Sequence, residues 1–217
     1  MNSFKRLRCF FCLFLAVVML QISGCSFQGK GSLPSTSQPE ESICKSILTD
    51  TSCTPPCWEM IAPGTQSNSQ KIREFLEGLP SADLIQEEKL PTSGGKEVSV
   101  IHWFWKATTS RNMITLDEDG TILGTVLQLT CNLTVEDVIA KYGNPEAVNW
   151  GYFGDDSYVR FNMFYFKKGL QFIVNLTPIV NPVLEPGSKV VEAALGEPFS
   201  PNDTMDLSEW PGYGRLD

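Results

Sequence analysis

The stretch from Tyr158 to Leu176 constrains the fold more than any other part of this chain. Leu170, Phe172, Val174 and Leu176 alternate with Gln171, Ile173 and Asn175, and Lys167-Lys168-Gly169 offers a turn from the aromatic-rich run Tyr158 to Phe166. Successive side chains of a strand point to opposite faces, so this pattern specifies an antiparallel hairpin with one buried face. An isolated hairpin is marginal in water, and its apolar face has to be covered by another layer. Only folds containing an antiparallel sheet remain.

From Cys57 onward the chain can be laid out as two copies of one plan, a helix followed by four strands. In the first copy Ile72, Phe75, Leu76 and Leu79 share one helical face over about Ser67 to Gly78, with Thr65, Ser67 or Ser69 as the cap and Gly78 and Pro80 as the stop. In the second, Thr134 is placed to cap a helix whose apolar face is Val135, Val138, Ile139 and Tyr142, with Leu133 stapling against Val138. Gly143 and Asn144-Pro145 end it. Strand signals follow each helix: Ala82 to Leu90, Val98 to Ala107, and Met113 to Asp117 turning at Asp119-Gly120 into Thr121 to Thr130. In the second copy they are Glu146 to Trp150, the hairpin described above, and Ser188 to Leu195, which composition would equally allow as helix but which the repeat plan makes the fourth strand.

The expected fold is therefore α+β: two tandem α-β4 repeats forming an antiparallel sheet with helices packed on one face. Repeat one covers about 57–130 and repeat two about 131–196, followed by a tail over 197–217, all within a domain spanning 43–217.

Ahead of the domain, Lys5, Arg6 and Arg8 precede an apolar run from Cys9 to Gln21 that is closed by Ile22-Ser23-Gly24-Cys25. The run has the length of a secretory signal and falls short of the roughly 20 apolar residues of a membrane-spanning helix. The tetrad resembles the lipobox of bacterial lipoproteins. That resemblance implies a signal peptide over 1–24, diacylation of Cys25, and a membrane location on the extracytoplasmic face, in the outer membrane if the cell has one. Residues 25–42, rich in Ser, Gly, Pro and Gln, read as a flexible tether reaching roughly 20 to 25 Å.

Removal of 1–24 takes away Lys5, Arg6 and Arg8 and leaves 14 basic against 25 acidic residues, a net charge of −11. So acidic a chain repels phosphate backbones, and a nucleic-acid partner is not expected. Of the seven cysteines, Cys9 and Cys12 leave with the signal and Cys25 takes the lipid. Cys44, Cys53, Cys57 and Cys131 form an even remainder, which in an exported chain argues for two disulfides with three connectivities open; Cys53 with Cys57 and Cys44 with Cys131 is the preferred one. Structural zinc sites need a second Cys or His pair, which this chain lacks, so no metal is expected.

Catalytic signals are sparse. His102 is the only histidine, set in a strand between Ile101 and Trp103 without an elbow-type nucleophile motif, and it reads as a structural or surface residue. The acid pairs Asp117/Asp119, Asp155/Asp156 and Asp203/Asp206 fall in turns or the tail, and no phosphate-cradling glycine motif occurs. No catalytic residue, cofactor or enzymatic activity is assigned. The aromatic strands are the best source of a working surface: Trp103, Trp105 and Tyr165 form the candidate binding surface if alternation sends them to the open face, and core if it sends them to the helices.

Ala62-Pro63-Gly64-Thr65, Leu133-Thr134 and Tyr142-Gly143-Asn144-Pro145 resemble the motifs of the fold shared by the outer-membrane assembly lipoprotein BamE and the beta-lactamase inhibitory protein, in which helix-then-sheet units begin with Pro-Gly-x-Thr or Leu-Thr. Gly78-Leu79-Pro80 departs from that family's Leu-Gly-x-Pro helix ending. Pro55-Pro56-Cys57-Trp58 and Trp210-Pro211-Gly212-Tyr213-Gly214 also look like bacterial lipoproteins built on this plan. The resemblance implies a non-enzymatic module that binds another extracytoplasmic protein, in envelope assembly or inhibition. A cell-envelope receptor for a small ligand or glycan is the alternative, and an envelope hydrolase ranks third.

Overall fold

Helix α1 (Ser69–Glu77) and helix α2 (Val135–Tyr142) form where the apolar spacing places them, and their ends show why. Asn68 caps α1, its side chain accepting from the Lys71 amide, so none of the three expected residues is the cap. An Asn carbonyl reaches the exposed amides of a first turn as well as a hydroxyl does. Thr134 caps α2 as expected, in a reciprocal box with Asp137. Ile72 and Leu76 of α1 and Val135 and Val138 of α2 are buried in the same core.

The computed structural model describes residues 47–48, 57–92, 95–106, 108–153, 157–201 and 206–216. The signal, Cys25, the tether, Cys44 and Cys53 lie outside the described residues. Among the described residues no helix is long and apolar enough to cross a membrane.

Among the described residues there are ten strands, in chain order β1 (Ala82–Pro91), β2 (Glu97–Trp105), β3 (Arg111–Leu116), β4 (Ile122–Gln128), β5 (Ala147–Phe153), β6 (Tyr158–Tyr165), β7 (Leu170–Leu176), β8 (Val183–Leu184), β9 (Val190–Gly196) and β10 (Gly214–Arg215). Eight of them make one antiparallel sheet in the order β1-β2-β3-β4-β9-β7-β6-β5, while β8 pairs with β10. The α+β class and the antiparallel sheet match the sequence reading, and the segment after Ser188 is strand. The sheet is, however, a single body built on one principal core, not two separate units. Its seam is the pairing of β4 with β9, from Gly124 opposite Gly196 to Gln128 opposite Glu192. Both strands have alternating burial, so pairing them satisfies two otherwise open edges at once.

The remaining edges are treated differently. The tail lies along β5, where Val148 and Ser208 exchange both backbone bonds at 2.9 and 2.8 Å. Leu207 packs on Ala147, Phe164 and Phe166, and Trp210 meets Phe161 edge-on. At the other side, β1 is largely exposed, carries Glu87, Glu88 and Lys89, and has a pairing irregularity between Asp83 and Gln86. Charge and irregularity both discourage a further strand from adding there.

Candidate functional site

The sheet has a helix side and a far side, and register decides which residue faces which. On the helix side lie Ile101, Trp103 and Trp105 of β2, Phe161, Met163 and Tyr165 of β6, and Phe172 and Val174 of β7, all buried in the principal core. The candidate surface of Trp103, Trp105 and Tyr165 is thereby corrected: these side chains are 0%, 1% and 1% exposed. Trp58 stacks on Trp103 at 5.8 Å between ring centres, and Trp105 meets both edge-on. The Trp105 indole N–H donates to the Gln128 carbonyl at 2.9 Å. The Tyr165 hydroxyl donates to the Gly143 carbonyl at 2.9 Å, and burial above all, with smaller contributions from Tyr213 and Tyr142, holds its pKa well above the ordinary phenol value. Aromatic content predicted a large apolar surface, and the helices cover it.

On the far side one row of paired residues crosses all eight strands: Gln86, His102, Met113, Val126, Ala194, Gln171, Phe164 and Ala147. Met113, Val126, Ala194 and Gln171 are half-buried. His102 is nearly buried, with Nε2 2.5 Å from Glu88 Oε1.

The middle of this face is a trough of about 450 Å³ whose floor is the β4–β9 seam. Gly124, Ala194 and Gly196 keep the floor low, and Met113, Leu123 and Phe199 stand around it. Gly124 is also a packing requirement, because a Cβ there would sit 2.9 Å from the Leu195 carbonyl oxygen. Leu123 and Phe199 are 44% and 50% exposed, so the rim presents apolar side chains to solvent.

Beside the trough the far side turns polar. Glu192 receives Gln128 Nε2 on one carboxylate oxygen and Arg160 Nη2, at 2.9 Å, on the other. Asn162 donates to Asn149 at 2.7 Å and accepts from Gln171 at 3.1 Å, forming an amide ladder over β5, β6 and β7. The sequence carried a sign of this, since Arg160 and Asn162 interrupt the apolar residues Val159, Phe161 and Met163 with the period of a strand. Which amides meet depends on register between strands, which composition does not encode.

Of the expected disulfide cysteines, Cys57 is buried and Cys131 half-buried. Among the described residues no group of three or more His, Cys, Asp or Glu side chains is placed to hold a metal ion. No family model matches this chain, and neither a curated protein nor a solved structure matches it.

Proposed function

We propose that this protein is a membrane-anchored extracytoplasmic lipoprotein, held through a lipid on Cys25, that acts as a non-enzymatic binding module for another protein. In this reading each helix with the four strands of the large sheet that follow it descends from one of two tandem α-β4 units of the kind found in BamE-like and beta-lactamase-inhibitory proteins, fused through the β4–β9 seam, with β8 and β10 as additions to the second unit. Cys44, Cys53, Cys57 and Cys131 form two disulfides that hold the segment before α1 to the domain.

The observation that carries the reading is the two-sidedness of the sheet. One face is buried beneath both helices, while the other bears a trough with small residues on its floor and exposed Leu123 and Phe199 on its rim. Apolar rim residues beside a polar field are the composition of a protein-docking surface. The acidic balance of the chain favours a partner with basic groups around its own apolar patch.

Two measurements on the full chain in its own membrane test this. Fatty-acid labelling should mark the wild type and not Cys25→Ala. A photo-crosslinking residue at Leu123 or Gln171 should yield one discrete protein adduct, whereas the same residue at Glu77, exposed on α1, should not. Equal labelling of both chains would remove the anchor. Adducts that do not distinguish the trough from α1 would remove the docking face.

A further inference from the structure

We propose that the hollow at the β5–β6 end of the far side is a binding site for a neutral carbohydrate ring, distinct from the central trough and independent of the docking reading. It has a volume of about 240 Å³ and is bounded by Asn149, Gly151, Phe153, Arg160, Asn162 and Asp206.

Gly151 is the first observation. It lies inside β5, directly opposite Arg160, with its φ outside the left-handed region and, among the described residues, no atom beyond its chain neighbours within 4 Å of where its Cβ would stand. Neither a turn nor close packing requires glycine there, and glycine inside a strand weakens it. Its effect is to leave the floor of the hollow empty. Mid-strand glycines of this kind mark places where a ligand or another chain approaches the backbone.

The walls determine what fits. The ladder fixes the Asn149 and Asn162 amides before any ligand arrives, so little ordering cost is left for binding. The Asn149 amide nitrogen has no partner among the described residues, and Asp206 adds an acceptor for hydroxyl donors. The Arg160 charge is already matched by Glu192, and its guanidinium lies 5.2 Å from the centre of the Phe153 ring. With Asp206 beside this pair the local balance is negative, which disfavours phosphates and carboxylates. Phe153, 53% exposed, supplies apolar ring surface at the same rim. A purely apolar ligand would bury the amides without partners. A sugar ring carries hydroxyls around its edge and C–H groups on its faces, and so matches both kinds of wall.

The test titrates the full chain with cellotetraose, maltotetraose and tri-N-acetylchitotriose, and separately with inorganic phosphate and a short Lys-Gly peptide, by calorimetry and by tryptophan fluorescence, since Trp150 also lines the hollow. At least one neutral saccharide should bind saturably, and Gly151→Val, which fills the floor, should weaken it by about tenfold or more while leaving the melting temperature unchanged or higher. Asn149→Ala serves as a second variant should Gly151→Val not fold, and should weaken binding in the same direction. Crosslinking from Leu123 should persist in both variants. The proposal is overturned if none of the three saccharides binds, if both variants bind as wild type does, or if only phosphate or the peptide binds and does so with sensitivity to Gly151→Val.

Discussion

Trp103 and Tyr165 illustrate what a single residue contributes here. Trp103 is stacked between Trp58 and the sheet, completely buried. Trp103→Ala removes a large ring from a dense core and leaves a cavity, so it should lower unfolding stability by about 3 to 5 kcal/mol in urea titrations. Leu123→Ala, on the trough rim, should stay within about 0.5 kcal/mol of wild type. Equal losses in the two variants would contradict the assignment of Trp103 to the core and Leu123 to the surface. Tyr165 makes the alkaline side of the stability profile informative. Burial raises its pKa in the folded chain, so the folded state keeps the phenol proton to higher pH than the unfolded chain does. Its contribution is full below the unfolded phenol value of about 10 and is lost as pH rises beyond it. Tyr165→Phe should forfeit about 1 kcal/mol near pH 8 through the lost bond to Gly143, and should shrink the further decline above about pH 10. An unchanged decline in thermal melts would assign the alkaline loss to other groups.

Among the elements, the β6–β7 turn does more than reverse the chain. A short 3-10 turn (Phe166–Lys168) leads into Gly169, which has a left-handed φ of 60°. Its carbonyl accepts from the Gly196 amide at 2.8 Å, tying the turn to the end of β9. A Cβ on Gly169 would lie 2.0 Å from the Gly196 carbonyl oxygen, so alanine meets both backbone strain and a clash with backbone that cannot rotate away. Gly169→Ala should cost about 2 kcal/mol or more and reshape the trough, because Gly169 and Gly196 both line it. Proton exchange of the β7 and β9 amides would report the loosening, and wild-type protection there would refute it. Elements of this kind were legible in the sequence to different degrees. The hairpin, α2 with its Thr134 cap, and the Asp119-Gly120 turn follow from local chemistry acting over a few residues. The α1 cap at Asn68 did not emerge, because several hydroxyl and amide residues lie within one turn and tertiary contacts select among them. The pairs β8 and β10 are two residues each, too short to leave a periodic signature.

At the scale of the whole molecule, the β4–β9 pairing joins residues about the seam that are far apart in sequence, and the helix-side residues of both halves merge into one core. One core implies one cooperative unit. Tryptophan fluorescence and far-ultraviolet circular dichroism should therefore follow the same urea transition, with refolding on the millisecond-to-second scale common to sheets closed by distant pairings. Two separated transitions would indicate that the halves fold as independent repeats. By itself, the sequence determined the two helices and the eight strands of the large sheet, their order and the two faces of each of those strands, because alternation and capping are short-range effects written in neighbouring residues. Only the tertiary structure decided which face is buried. In β2, Trp103 and Trp105 point one way and Val100, His102 and Phe104 the other, and both sets are apolar enough to be core. The choice depends on where α1 and α2 pack. Likewise the trough floor of Gly124, Ala194 and Gly196 and the ladder of Asn149, Asn162 and Gln171 exist only once strands distant in sequence have taken their register, since each side chain acquires its neighbours across the sheet and not along the chain.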